Sequence, residues 1–176
     1  MKAVIINGGY SINSRLTGIE QEVEKLLSNT NMTFDKIIVH KLPAEALITA
    51  KFGDPIIVEH VKKVDVADVV ILLTPVFKGA YSGILKTFLD LLPQKGLVDK
   101  SVIPIAIGGS MAHLLSLEYA LKPIISILGA THVTNPVYVI DKLVTVVNDS
   151  YVVDSEITER LTNALQQVNV LEVGRV

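Results

Sequence analysis

The sequence contains no cysteine, so disulfides, thiolate metal sites and a cysteine nucleophile are excluded at once. Its four histidines, His40, His60, His113 and His132, fall at no metal-ligand spacing, and no metal site is expected. Charge is scarce, at 19% of residues with a net value of -2, and no basic block or basic-aromatic interleaving occurs. The electrostatic footprint of a nucleic-acid binder is missing. No apolar run reaches the roughly 18 residues of a membrane span. The opening "MKAVIINGGY" has one lysine, a short apolar run and no small-residue cleavage site, so it reads as a strand and not a signal peptide. The expected compartment is the cytoplasm. Tryptophan is absent, and 5 tyrosines with 4 phenylalanines make up the aromatic complement.

What the chain does have is aliphatic bulk. Apolar residues reach 49%, and the mean hydropathy of +0.47 is high for a soluble monomer. Two causes are expected together: strands buried on both faces, as in parallel sheets, and apolar surface covered by a partner. A length of 176 residues suits one domain spanning 1–176.

Strands are predicted at Ala3–Ile6, Lys36–Val39, Val69–Thr74, Val102–Ile107 and Val137–Ile140, each rich in Val and Ile on both alternation phases. Between them run stripes at helical spacing. These are Leu16, Ile19, Val23, Leu26 and Leu27; Ile84, Leu85, Phe88, Leu89 and Leu92, stopped by Pro93; Leu114, Leu117, Leu121 and Ile124; and Ile157, Leu161, Leu165 and Val168. Residues 44–64 are expected to hold a short helix and a second one around Pro55–Lys62, and "TVVNDSYVVD" a small hairpin or an irregular edge. Five strands alternating with helices predict a three-layer α/β domain with right-handed crossovers.

In such sheets ligands bind beyond the carboxyl ends of the strands, which directs attention to three loops. The first, Asn7–Arg15, matches neither Gly-x-Gly-x-x-Gly nor Walker A, and it lacks the acidic residues of a receiver domain. It offers Ser11, Asn13 and Ser14, a helix start near Ser14, and the charge of Arg15. This reads either as a site for a terminal phosphate monoester or as an ordinary helix cap with a solvated arginine. The second, "TPVFKGAYSG", begins where Pro75 is expected to end the strand and sets Phe77 and Tyr81 around small residues. Two of so few aromatics in one strand-end loop favour a planar ligand over simple packing. The third, "GGSMAHLL", allows close backbone approach at Gly108 and Gly109, with Ser110 free to cap a helix or bond a ligand edge. His113 in the first turn of that helix reads as structural or solvated before catalytic. A phosphate loop, an aromatic platform and a glycine edge on one sheet rim suit a flat ring with a phosphorylated tail, and FMN fits.

These residues resemble the NAD(P)H-dependent FMN reductases of flavodoxin-like fold, in particular the branch that supplies reduced FMN to alkanesulfonate monooxygenases. The likeness covers nearly the whole chain. The family's Gly-Ser-Pro-x-x-x-Ser-Arg stands here as Gly8-Gly9-Tyr10-Ser11-Ile12-Asn13-Ser14-Arg15, keeping Ser14 and Arg15 and departing at Gly9 and Tyr10. The second motif, "TPVFKGAYSGILKTFLDLLP", is its most specific signal, and "GGSMAHLLSLEYALKP" resembles that branch in particular. The resemblance implies a five-stranded parallel sheet of order 2-1-3-4-5 and hydride transfer from nicotinamide C4 of NADPH or NADH to N5 of FMN. It implies a homodimer or homotetramer, with a flavin-dependent monooxygenase of sulfonate assimilation as a partner. The residues implied are Ser11, Ser14 and Arg15 for the phosphate, Pro75, Val76, Phe77, Lys78 and Ser82 for the ring, and Gly108, Gly109 and Ser110 for the pyrimidine edge, with Asn13, Tyr81 and His113 as further cofactor-binding residues. Lys78, as a charge near flavin N1, and Tyr119 are the candidates for a catalytic role. In the branch a residue inserted at the place of Tyr119 makes a π-bulge linked to flavin exchange. Independently, Pro123 lacks the N–H that would bond the Tyr119 carbonyl, so this helix is expected to be irregular there. The same loops would serve a quinone or azo reductase with permanently bound FMN. A flavodoxin-like electron carrier is a further alternative, although flavodoxins are usually strongly acidic and carry a Thr-rich phosphate loop.

Overall fold

The computed structural model describes residues 1–169. Strand β1 (Lys2–Asn7) leads into helix α1 (Arg15–Ser28), followed by β2 (Thr33–Ile38), α2 (Ala44–Ile48), α3 (Pro55–Asp65), β3 (Val69–Phe77), β4 (Ala80–Tyr81), α4 (Gly83–Leu89) and β5 (Ser101–Gly108). A π-helical segment (Leu117–Leu121), α5 (Lys122–Ile127), β6 (His132–Val133), β7 (Val137–Ile140), β8 (Val144–Val147), β9 (Ser150–Val153) and α6 (Ser155–Asn169) complete the described chain.

The strands are apolar on both phases because each phase enters a different core. Val4 and Ile6 of β1, with Val70 and Leu72 of β3, pack against Ile57 of α3, Phe88 of α4 and Ile125 of α5. Ala3 and Ile5, with Val69, Ile71 and Leu73, pack against Ile19 and Val23 of α1 and Ile157 and Leu161 of α6. Fully burying one such side chain contributes about 1.5–3 kcal/mol, so the two cores fix which face each helix covers. Caps place the helices along the chain. Asp54 accepts from the N–H groups of Ile56 and Ile57 at 2.9 and 3.2 Å, ahead of Pro55.

The short helix and the second helix expected within residues 44–64 are present, as Ala44–Ile48 and Pro55–Asp65, and the hairpin form of "TVVNDSYVVD" is present as β8–β9. Four expectations are corrected. Among the described residues the sheet has seven strands, not five, in the path β2-β1-β3-β5-β6, with β4 antiparallel on β3 and β7 also pairing β5. Two short segments, β6 and β7, share one edge of β5, separated by a stretch containing Pro136, which cannot donate to the ladder. Strand β3 does not stop at Pro75 but runs on to Phe77. The β1 ladder ends at the pair Leu73–Asn7, so the nitrogen of Pro75, which faces that side two residues on, interrupts nothing. The third concerns the segment after Gly109. No α-helix starts there: a single 3₁₀ turn, Met111–His113, precedes the π segment. Strand two also begins earlier than predicted, at Thr33, because this edge strand is half exposed and its polar residues masked it.

The π segment is the irregularity that Pro123 predicts. The N–H of Lys122 bonds the carbonyl of Leu117, five residues back, and Pro123 opens α5.

Candidate functional site

The carboxyl ends of β1, β3 and β5 open onto a cavity of about 390 Å³, within the range of small-molecule sites. Its polar end is the β1–α1 loop with Asn13, Ser14, Arg15 and Leu16, and its flatter end is Pro75, Val76 and Phe77 of β3 with Ile107, Gly108 and Gly109.

At the polar end, backbone order comes from the glycine pair. Gly8 donates its N–H to the Leu73 carbonyl at 2.8 Å, and its own carbonyl accepts from the Ser82 hydroxyl at 2.6 Å. A Cβ on Gly8 would stand 2.5 Å from Leu85 Cβ, so only glycine permits this approach to α4. Gly9 is clamped on both sides: its N–H bonds Asn7 Oδ1 at 2.7 Å and its carbonyl accepts from His40 Nδ1 at 2.8 Å. A carbonyl only accepts, so Nδ1 carries the His40 proton. Asn7, itself buried, donates through Nδ2 to the buried carboxylate of Glu20, which also faces Lys36 Nζ at 3.4 Å. Lys36 holds Glu24 at 2.8 Å, and its ammonium is pushed above the usual lysine range, chiefly by that hydrogen bond.

Beyond the clamp, Ser14 stands at the N-cap position of α1 yet makes no capping hydrogen bond. Its hydroxyl donates to the Ser11 carbonyl at 3.1 Å. No acidic residue follows in the first turn. The helix start therefore faces the cavity with N–H groups that no cap closes and no carboxylate opposes, which suits an anion. Arg15 donates Nε–H to the Val144 carbonyl at 2.9 Å, leaving its two terminal nitrogens for other partners. The donor set matches the phosphate of FMN in type: a guanidinium, helix N–H groups and short polar side chains.

At the flat end, Phe77 meets Tyr10 with ring centroids 5.7 Å apart at 41°, and both rings are about half exposed. Gly108 is held close to the buried Tyr138, whose hydroxyl donates to the Ser110 carbonyl at 2.7 Å. Burial pushes the Tyr138 phenol above its ordinary pKa.

Of the residues singled out from sequence, Asn13, Ser14, Arg15, Pro75, Val76, Phe77, Gly108 and Gly109 come together around this cavity. The others do not line it. Ser11 accepts from the Asn13 N–H at 3.0 Å beside it. Lys78 sits exposed at the tip of the β3–β4 turn, where φ of 52° at Lys78 and 78° at Gly79 make the left-handed pair of a two-residue hairpin. Tyr81 pairs with Val76 and packs on the first core, its phenol also pushed up by burial. Ser82 is wholly buried and fully committed: besides holding Gly8 it accepts from Leu85 N–H at 3.0 Å, capping α4. Ser110 caps the 3₁₀ turn through Ala112 N–H at 3.2 Å, and His113 is exposed. Tyr119 lies in the π segment with 78% of its surface exposed.

Sequence reasoning missed Tyr10, Asp141, Val146 and Tyr151 among the lining residues. Asp141 follows a strand end and was open to discovery by the same rule that selected the other loops. Val146 and Tyr151 reach the cavity only because the β8–β9 hairpin docks on α1. The internal glycine of that helix, Gly18, was the sole sign: a Cβ there would meet Tyr151 Cβ at 2.7 Å and Val144 Cγ1 at 2.9 Å. Among the described residues no group of three His, Asp or Glu is placed to hold a metal.

A mostly parallel sheet with an uncapped helix start beside a cavity at its carboxyl rim is the arrangement of a flavodoxin-like α/β protein. Residues 1–145 match the model of the NADPH-dependent FMN reductase family, to which this chain belongs. It is 36% identical to an FMN reductase (NADPH) of Pseudomonas putida, covering 97% of this chain and 87% of that protein. It is 33% identical to an FMN reductase (NADPH) of Escherichia coli, covering 94% and 87%. Among solved structures it is similar to an NADH:FMN oxidoreductase, EMOB, in its apo form, with a TM-score of 0.81 at 30% identity over 96% of this chain and 88% of that one.

Proposed function

We propose that this chain oxidises NADPH or NADH to reduce FMN as an exchanging substrate, and that reduced FMN passes to a flavin-dependent monooxygenase of sulfonate or sulfur assimilation. The observation that carries the reading is the uncapped start of α1, with Arg15 beside it, at one end of a cleft whose other end is flat. Asn13, Ser14, Arg15 and the first N–H groups of α1 hold the phosphate. Pro75, Val76 and Phe77 support one face of the ring, and Gly108 and Gly109 let the backbone approach its edge. FMN, when bound, supplies the hydride-accepting N5. The protein's share is to align the two rings and keep water from the cleft, and no side chain acts as a nucleophile. Tyr10 and Phe77, paired and half exposed, form the surface against which the nicotinamide is admitted. Exchange of flavin, in place of permanent binding, is supported by the π segment that carries Tyr119. The protein works in the cytoplasm as a single domain assembled into a homodimer or homotetramer.

The deciding experiment is steady-state NADPH and NADH oxidation with and without added FMN, on protein whose flavin content has been measured. Colourless protein whose turnover needs added FMN is expected. A yellow, fully loaded preparation that reduces quinones or azo dyes without added FMN would favour the bound-cofactor reductase. Flavin binding without nicotinamide oxidation would favour an electron carrier. The sequence-based role for Lys78 is retained only as a remote charge: Lys78→Ala leaving flavin affinity and turnover unchanged removes it.

A further inference from the structure

The hairpin β8–β9 stands outside the strand–helix alternation and beyond most of the family match, which ends at residue 145. Yet it is a wall of the cleft. Its first strand supplies the Val144 carbonyl that accepts from Arg15 Nε at 2.9 Å, and Val146 and Tyr151, paired across its two strands, both line the cavity. Its seat is built in. Gly18 is buried inside α1, where glycine costs about 1 kcal/mol relative to alanine, and the hairpin uses the space: a Cβ would meet Tyr151 Cβ at 2.7 Å, Tyr151 Cγ at 2.9 Å and Val144 Cγ1 at 2.9 Å. A tight β-turn at Asn148 and Asp149, with φ of 48° and 60°, closes it. Asp141, just before the hairpin, lines the other end of the cavity beside Gly109. The segment 141–151 thus runs along the cleft from the ring end to the phosphate end.

We infer that the β8–β9 hairpin selects the flavin by its tail: it admits the terminal phosphate monoester of FMN and excludes the second nucleotide of FAD. The inference rests on the FMN reductase reading. Two physical effects act together. Fixing Arg15 through Nε aims the end-on pair of guanidinium nitrogens at a group with several free oxygens and a charge near -2, which a monoester has and a diester lacks. Val146 and Tyr151 also wall the cavity that Arg15 lines, and on this inference that wall is what the continuing half of a diester meets. Riboflavin, with no phosphate, gains nothing from either effect.

The test measures equilibrium dissociation constants of FMN, FAD and riboflavin by flavin fluorescence quenching, together with their KM values, in wild type, Tyr151→Ala and Gly18→Ala. Gly18 lines no part of the cavity, so its alanine variant displaces the hairpin, through Tyr151 and Val144, while every lining residue keeps its identity. Wild type is expected to prefer FMN over FAD. In both variants that preference falls by about tenfold, the scale of one weakened charge-assisted hydrogen bond, while riboflavin affinity changes less than twofold. Equal wild-type affinity for FMN and FAD overturns the inference, as does a parallel weakening of all three flavins in variants that melt cooperatively. Should Gly18→Ala fail to fold, Tyr151→Ala decides alone. No nicotinamide oxidation by wild type with any of the three flavins would overturn the reductase reading, and the inference with it.

Discussion

Replacing Glu20 by alanine tests whether the Gly9 clamp is what positions the polar end of the cleft. Glu20 lies on α1 with only 6% of its side chain exposed, between Asn7 and Lys36. Removing its carboxylate leaves the buried Asn7 amide without its acceptor, a loss of about 1–3 kcal/mol. Truncating a buried pair can cost more, about 3–5 kcal/mol. Here the penalty is smaller, because the Lys36 side chain is 41% exposed and keeps Glu24 at 2.8 Å. The expected loss is therefore about 2–3 kcal/mol, which for a domain of this size lowers Tm by about 4–12 °C. Glu20→Gln retains an acceptor for Asn7 and should lose about 1 kcal/mol. The clamp adds a second readout. With Asn7 free to turn, the N–H of Gly9 loses its partner and the loop leading to Ser14 loses its register. The FMN KM of Glu20→Ala should then rise several-fold, with Glu20→Gln restoring it. Urea unfolding followed by far-UV circular dichroism, paired with FMN titrations of NADPH oxidation, measures both. A Glu20→Ala protein within about 0.5 kcal/mol of wild type, the range of ordinary surface substitutions, and with unchanged KM would refute the clamp.

Arg15→Ala should raise the FMN KM by about ten- to a hundredfold, the worth of a hydrogen bond between charged groups, and lower kcat less; an unchanged KM in steady-state kinetics would mean the phosphate lies elsewhere. Asp54→Ala should cost about 1 kcal/mol through loss of the α3 cap, read as a lower urea midpoint with kinetics unaffected. Stability should fall as pH rises above about 10, where unfolded Tyr and Lys lose their protons. Tyr138 and Lys36 both hold their protons more tightly when folded, Tyr138 through burial and Lys36 through Glu24. The unfolded chain therefore deprotonates first, and the contribution present below that pH is lost as pH climbs through the folded values. Urea midpoints that stay flat between pH 9 and 11 would contradict this.

The alternation of aliphatic strands and striped helices was legible because it follows from burial on two faces, a property each segment carries locally. The helix beginning near Pro55 and the irregular helix around Pro123 were legible for the same reason: each signal acts on its own segment, and Pro123 stands four residues after Tyr119. Strand β3 continuing through Pro75 was not legible, since the harm a proline does depends on whether a neighbouring strand still needs its N–H. Nor was the true place of Ser82. A serine before a helix in a ligand loop looks available, and only the approach of Gly8 across the sheet uses it up. The hairpin residues Val146 and Tyr151 escaped for a stronger reason. Their position is set by docking against α1, more than a hundred residues earlier in the chain.

The glycine pair in "INGGYSINSR" explains why this loop fits no common phosphate template. In those templates glycine N–H groups face the phosphate. Here both are spent inside the protein, Gly8 on Leu73 and Gly9 on Asn7, and both carbonyls are bound by Ser82 and His40. The pair works as an anchor that ties the end of β1 to α4 and to the chain beyond β2. The free backbone N–H groups and the guanidinium lie downstream, at the uncapped turn of Ser14 and Arg15, which is where we propose the phosphate sits. A loop organised in this way needs no third glycine, and under the proposed function its affinity for phosphate depends on how firmly α1 and the hairpin hold Arg15 in place.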